Sequence, residues 1–323
     1  MKITSLLYFG LLVTLFAACS KESIETECEP TAPSPCTPFP TSSQTRSVLY
    51  VNNFGKIKEN FPRIVGNTLQ EDSLLNWCLV QGFTELNLGS IGNILDADSA
   101  THLNDFVCKA HSSPYGFKIN FMVPSSARVN QIDEYCANYP NKPDGIITEY
   151  EFWNDEDSFG TFLTILSAMT DLHQTHPSVR RYAYVHDFED QAGTYTEEYI
   201  TQHLILNCEA IFLANYENYT GTGNAYNLSN NLSARLAVLG ENAQQISTVA
   251  NVIIIFKVHQ DQDPETDDDI FTYFSVNGGN HDFVDAYNNL MDEYNDTVNP
   301  DNDGLSFKGY AIFHHTDARR ARP

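Results

Sequence analysis

Glu149 and Glu151 stand two positions apart in the stretch Asp144-Gly145-Ile146-Ile147-Thr148-Glu149-Tyr150-Glu151-Phe152-Trp153-Asn154. Branched apolar residues after an Asn-Lys-Pro-Asp turn open it as a strand. Side chains alternate along a strand, so Ile147, Glu149 and Glu151 share a face. Two carboxylates crowded at a strand end, with Trp153 and Asn154 beside them, are costly unless something uses them. The use they suggest is acid–base chemistry on a polar, flat-faced ligand such as a sugar. Aromatic faces stack on sugar C–H surfaces, while amides and carboxylates bind hydroxyls.

Such a pair needs a scaffold, and the chain supplies a regular one. Short runs rich in Val, Ile, Leu, Phe and Tyr, bounded by turn residues, predict strands at 47–53, 83–88, 117–123, 145–151, 181–186, 210–216, 252–259 and 309–314. Continuous apolar runs such as Val252-Ile253-Ile254-Ile255-Phe256 suit parallel strands buried on both faces. Amphipathic patterns predict helices at 71–81, 97–110, 159–173, 196–206, 233–247 and 283–294. Eight strands with intervening helices predict an α/β fold, a (β/α)₈ TIM barrel. The alternative, a doubly wound open sheet, calls for a glycine-rich phosphate loop after the first strand, where the chain has Asn52-Asn53-Phe54-Gly55-Lys56. Only nine residues follow His314, so the barrel is expected to close without an eighth helix or with the N-terminal segment over that seam.

Barrel sites lie at the C-terminal strand ends. Read in strand order, those ends carry Asn52 and Asn53; Asn87 and Ser90; Pro124-Ser125-Ser126; Glu149, Glu151, Trp153 and Asn154; Tyr184, His186 and Asp187; Asn215, Tyr216 and Glu217; Lys257 and His259; His314 and His315. The rim is polar, aromatic and acidic, as a saccharide cleft would be. Of these, Trp153, Asn154, Asn215, Glu217, Tyr184 and Asn53 are the candidate substrate-binding residues.

Asp144-Gly145-Ile146-Ile147-Thr148-Glu149-Tyr150-Glu151 resembles the D-G-x-D-x-D-x-E signature of glycoside hydrolase family 18, the chitinases and endo-β-N-acetylglucosaminidases. Ala214-Asn215-Tyr216-Glu217 is similar to that family's M-x-Y-D. The resemblance implies Glu151 as general acid, Glu149 as the group that orients the substrate acetamide, and Tyr216 as its partner. It implies substrate-assisted cleavage of N-acetylglucosamine-containing glycans, with no cofactor. The chain departs from the pattern at Ile147, where the signature has aspartate, and at Glu149 and Glu217, each one methylene longer. Two alternatives follow: a non-catalytic glycan-binding barrel, and a metal-dependent hydrolase using His186, His259, His314 or His315 with the glutamates. The expectation is no metal.

Residues 1–18 read as a targeting segment: Lys2, an apolar run from Leu6 to Phe16, then Ala17-Ala18. Leu15-Phe16-Ala17-Ala18-Cys19 resembles a bacterial lipoprotein signal, which implies a lipid on Cys19 and attachment at the outer membrane or cell surface. Residues 19–46, rich in Pro, Ser, Thr and Glu, read as a tether, and 47–323 as the barrel domain. The formal net charge of −24 excludes nucleic acid as the main partner. Cys28, Cys36, Cys78, Cys108, Cys136 and Cys208 are open to oxidation in an exported protein, with the pairing undetermined. The acidic run 261–269 and the Asn299-x-Asp301-x-Asp303-Gly304 segment read as a solvated loop and a turn.

Overall fold

Each apolar run forms a strand and each amphipathic stretch returns the chain to the next one. The computed structural model describes residues 45–57, 62–96, 99–154, 158–190, 193–215, 230–257, 283–297, 304–313 and 315–321, all within the compact unit Gln44–Pro323. The strands are β1 (Arg46–Val51), β2 (Glu85–Leu88), β3 (Lys118–Val123), β4 (Gly145–Thr148), β5 (Arg180–Val185), β6 (Ala210–Asn215), β7 (Ala250–Lys257) and β8 (Leu305–Phe313). All pair in parallel in sequence order, and β8 returns to β1, so the sheet is a closed barrel. Around it lie α1 (Thr68–Val80), α2 (Gly92–Leu95), α3 (Ala100–His111), α4 (Ser126–Asn138), α5 (Phe159–Thr175), α6 (Glu197–Asn207), α7 (Asn230–Gln245), α8 (Phe283–Thr297) and α9 (His315–Ala321). This is the expected (β/α)₈ barrel.

Several helices start where a side chain takes over a backbone N–H that the first turn leaves unpaired. Asn67 accepts from Gln70, Ser125 from Arg128, Ser158 from Thr161 and Thr196 from Tyr199. Ser125, expected on the rim, is therefore spent on capping α4. That helix was not predicted, yet it buries Val129, Ile132, Tyr135 and Cys136 at helical spacing.

The expected missing helix is present in short form. Seven residues after β8 suffice for α9. It buries His315, Thr316 and Ala318 against the β8–β1 seam. Arg319 on α9 donates to Ser73 Oγ at 3.2 Å and lies 5.9 Å from the Trp77 ring. β8 also begins earlier than its apolar run suggested. The register shifts opposite Val252/Ile253, and Gly309 at φ 141 absorbs the irregularity. A Cβ there would sit 2.0 Å from the Arg46 carbonyl oxygen.

Strand partners in a parallel ladder face the same way. The register puts Tyr50, Asn87, Asn120 and Gly145 on one level. The interior is filled with polar and aromatic groups where many barrels use branched aliphatics. Arg46 Nε donates to Glu85 Oε2 at 3.0 Å, and its guanidinium lies 5.0 Å from the Tyr182 ring centroid. Asn120 Nδ2 donates to Glu85 and, at 2.8 Å, to Asn87 Oδ1. Gly145 is the residue this filling demands, since a Cβ would meet Asn120 Oδ1 and the Tyr182 ring at 2.6 Å.

Asp144 sits at the opposite end of β4 from the glutamates. Its Oδ2 accepts from the Ile119 N–H at 2.8 Å and lies 2.8 Å from His111 Nε2. Its backbone bridges Ile119 and Arg180. The first two residues of the motif thus hold the barrel together. Any chemistry belongs to its last residues.

Candidate active site

β4 ends at Thr148, earlier than the run through Glu151 predicted. The Glu149 N–H still donates to the Val123 carbonyl at 3.2 Å, which prolongs the ladder by one step. The chain then turns. Tyr150 N–H donates to Thr148 Oγ1 at 3.3 Å, and Asn154 N–H donates to the Glu151 carbonyl at 3.0 Å. Phe152 fixes the turn from below, with its ring 5.0 Å from Phe159 and 4.9 Å from Phe162. Asn154 Nδ2 also donates to Glu151 Oε2.

Both glutamates open onto one cleft of about 250 Å³ at the C-terminal ends of the strands. It is lined by Tyr50, Asn52, Lys56, Gly89, Ser90, Met122, Glu149, Glu151, Tyr184 and Phe313. β1, β3, β5 and β8, with the turns that follow β1, β2 and β4, supply this lining. Tyr50 is buried, edge-on to Phe313 at 5.5 Å and Phe212 at 6.3 Å. Burial pushes its phenol well above the ordinary range. The Glu149 carboxylate adds to the shift, and the Asn87 amide works against it. At neutral pH Tyr50 therefore keeps its proton.

The structure brings together Asn52, Ser90, Glu149, Glu151 and Tyr184 from the expected rim and places others outside the lining. Trp153 is 8 % exposed and packs edge-on against Tyr184 at 5.4 Å, so it backs the wall. Asn53 is buried in a clamp. Its Nδ2 donates to the Pro62 carbonyl at 3.0 Å, and its Oδ1 lies 3.2 Å from His315 Nδ1. Asn154 is exposed beside Glu151, and Asn215 is buried at the end of β6. Tyr216, Glu217, Cys19, His259 and His314 lie outside the described residues, as do Cys28, Cys36 and the 261–269 and 299–303 segments.

His315, expected on the rim, instead packs edge-on to Trp77 at 5.8 Å. His186 lies 6.3 Å from the Trp153 ring, and its carbonyl accepts from Arg235 Nη1. Among the described residues, no three His, Cys, Asp or Glu side chains form a group able to hold a metal ion. Cys78, Cys136 and Cys208 are free thiols. No described helix is long and apolar enough to cross a membrane.

Tyr50, Lys56, Gly89, Met122 and Phe313 escaped the sequence reading as lining residues. Counting back two positions from the rim along a strand reaches Tyr50 from Asn52 and Met122 from Pro124, because alternate residues share a face. Apolar types at those positions read as core, which hid them.

Fold and site together define a (β/α)₈ barrel with an acidic, aromatic cleft at the C-terminal ends of its strands. No family model and no curated protein sequence matches the chain. Among solved structures it is similar to a family 18 chitinase from the chitin utilization locus of Flavobacterium johnsoniae, at 10 % identity over 87 % of this chain and 93 % of that one, with a TM-score of 0.44. It is similar to an active-site mutant of the Rhizomucor miehei β-1,3-glucanosyltransferase in complex with laminaritriose, at 11 % identity over 84 % and 88 %, with a TM-score of 0.46. It is also similar to orotidine 5'-monophosphate decarboxylase from Methanocaldococcus jannaschii, at 9 % identity over 86 % and 95 %, with a TM-score of 0.40.

Proposed function

We propose that the protein is a glycoside hydrolase that cleaves N-acetylglucosamine-containing glycans. The observation that carries this reading is that Glu149 and Glu151, two residues apart after β4, line one cleft together with Tyr184 and the protonated Tyr50. Glu151 protonates the glycosidic oxygen as the bond to the anomeric carbon breaks. The substrate's own acetamido oxygen attacks that carbon, so the enzyme needs no nucleophile of its own. Glu149 orients the acetamide, and Tyr216 is its partner. Water then opens the cyclic intermediate and restores the sugar, with Glu151 taking the proton back.

A second reading, a glycan-binding barrel without turnover, is favoured by Ile147. It is fully buried where the resembled signature carries an aspartate. The two readings part on one experiment. Under the first, N-acetylchitooligosaccharides or N-glycans are turned over by the wild type, Glu151→Gln abolishes turnover, and binding persists. Binding by the wild type without turnover selects the second reading.

For location, we propose that a lipid on Cys19 anchors the barrel at the bacterial outer membrane or cell surface, with residues 19–46 as a tether. Support comes from the sequence: a short apolar run, Ala17-Ala18 and Cys19. Cys19→Ser is expected to abolish incorporation of a radiolabelled fatty acid and to move the protein from the membrane to the soluble fraction.

A further inference from the structure

Asn52 follows β1 in a turn that interlocks with the turn after β2. The Gly89 N–H donates to the Val51 carbonyl at 3.0 Å, and the Gly55 N–H donates to the Gly89 carbonyl at 3.3 Å. Two glycines permit this approach. A Cβ on Gly89 would sit 3.2 Å from the Asn52 Cα, and one on Gly55 would sit 2.1 Å from the Ser90 carbonyl oxygen. Ser90 itself is held at φ 59, the left-handed region. That conformation is costly for a non-glycine residue and persists only where its surroundings over-determine it. Asn52 is thus fixed between two turns that cannot easily part.

Its side chain lines the cleft yet is only 8 % exposed. Neither its Nδ2 nor its Oδ1 meets a hydrogen-bond partner among the described residues. An amide buried in that state forgoes the hydrogen bonds that water would make, and a matching ligand restores them. The match must offer an acceptor and a donor side by side. Two adjacent sugar hydroxyls do so, because each both donates and accepts. The charge of the cleft narrows the choice further. Glu149 and Glu151 outnumber Lys56, so an anionic ligand is disfavoured and a neutral one is not.

We propose that Asn52 is the ligand-selecting residue of the cleft. Its amide donates to one hydroxyl of a neutral pyranose and accepts from the next. This deepens the glycan reading above and rests on it. The selecting wall lies on the β1–β2 side, opposite the carboxylates after β4, so selection and chemistry fall to different elements.

The test titrates N-acetylchitotetraose, cellotetraose and laminaritetraose into the full-length Glu151→Gln protein by calorimetry. The measurement is repeated with Asn52→Ala, Asn52→Asp or Lys56→Ala added, and melting temperatures are recorded for each. Asn52→Asp keeps the shape and an acceptor but loses the donor, which guards against a variant that does not fold. At least one tetrasaccharide is expected to bind. Asn52→Ala and Asn52→Asp should each weaken it about tenfold or more, and Lys56→Ala less than about threefold. A folded Asn52→Ala protein that binds within about twofold of its parent overturns the proposal. Binding of no tetrasaccharide overturns it together with the glycan reading. Asn52-dependent binding in a protein whose wild type shows no turnover supports the proposal and removes only the enzymatic reading.

Discussion

At the N-terminal end of the barrel interior, Glu85 is 1 % exposed and engaged at both oxygens: Arg46 donates to each of them, and Asn120 donates to Oε1 as well. At the C-terminal end, Asn52 meets no hydrogen-bond partner for either amide atom among the described residues, and Glu149 and Glu151 line an open cleft. The same barrel thus buries polar groups in two ways. Within it the Glu85 carboxylate is matched by Arg46 and Asn120, while the Asn52 amide faces the cleft without a hydrogen-bond partner among the described residues. If the cleft binds glycan as proposed, mutations at the Glu85 pair should act on stability and mutations at the cleft on binding and turnover.

The largest effect is expected at the cleft. Glu151→Gln keeps the shape but cannot donate a proton, and general acid catalysis contributes about 10²–10⁴-fold. Turnover of N-acetylchitooligosaccharides should fall by that order while the melting temperature holds. A loss of melting temperature matching the loss of rate would place Glu151 in the supporting structure and erase the contrast between the ends.

Next comes the buried ion pair. Glu85→Ala strands the Arg46 guanidinium in the interior and removes an acceptor from Asn120. Breaking such a pair from one side costs about 3–5 kcal/mol. Urea unfolding should show a loss of that size. Residual folded protein should still bind oligosaccharide, because the pair lies away from the cleft lining.

Gly145→Ala is expected to cost less, about 1–3 kcal/mol, the usual range for overpacking a filled core. Its Cβ must displace the Tyr182 ring or the Asn120 amide, and Glu85 and Asn87 already hold that amide. Urea unfolding measures this loss too. A neutral result would show that the middle of the barrel yields more than its filling implies.

These expectations also show what could be read in the chain before folding. The eight strands were legible because apolar runs of strand length stand between turn residues. Glu149 and Glu151 were legible because alternation alone puts them on one face. The eighth helix was not, since seven residues cannot announce a helix by periodicity. α9 forms because Arg319 and the buried His315 find partners on α1 and beside Asn53. Trp153 was ambiguous for a similar reason. Its direction depends on the turn after Glu151, and that turn depends on Phe152 meeting Phe159 and Phe162. Asp144 belonged to a chemical motif in sequence yet serves the closed end, because a strand separates its two termini in space.

The smallest predicted effect tests the closed end by pH. Burial, the dominant cause, pulls the Lys118 ammonium down to about 8, while Glu85 and Asp144 oppose the shift and Arg46 and Arg180 reinforce it. A lysine in the unfolded chain titrates near about 10.4. Below pH 8 both states bind the proton, and the folded state carries the full penalty of holding it. Between about 8 and 10.4 the unfolded chain binds more protons, so the Lys118 contribution to stability rises with pH. Lys118→Met removes that ionisation. The variant should gain over the wild type at pH 7, by about 1 kcal/mol or less once solvent screening of this half-buried group is allowed for. The gain should shrink steadily as pH approaches 10. Comparing urea midpoints of the two proteins at pH 7 and pH 10 measures it. A variant less stable than the wild type at pH 7 would mean that the lysine's carboxylate neighbours outweigh its burial. The closed end would then hold its third cation as firmly as it holds Arg46.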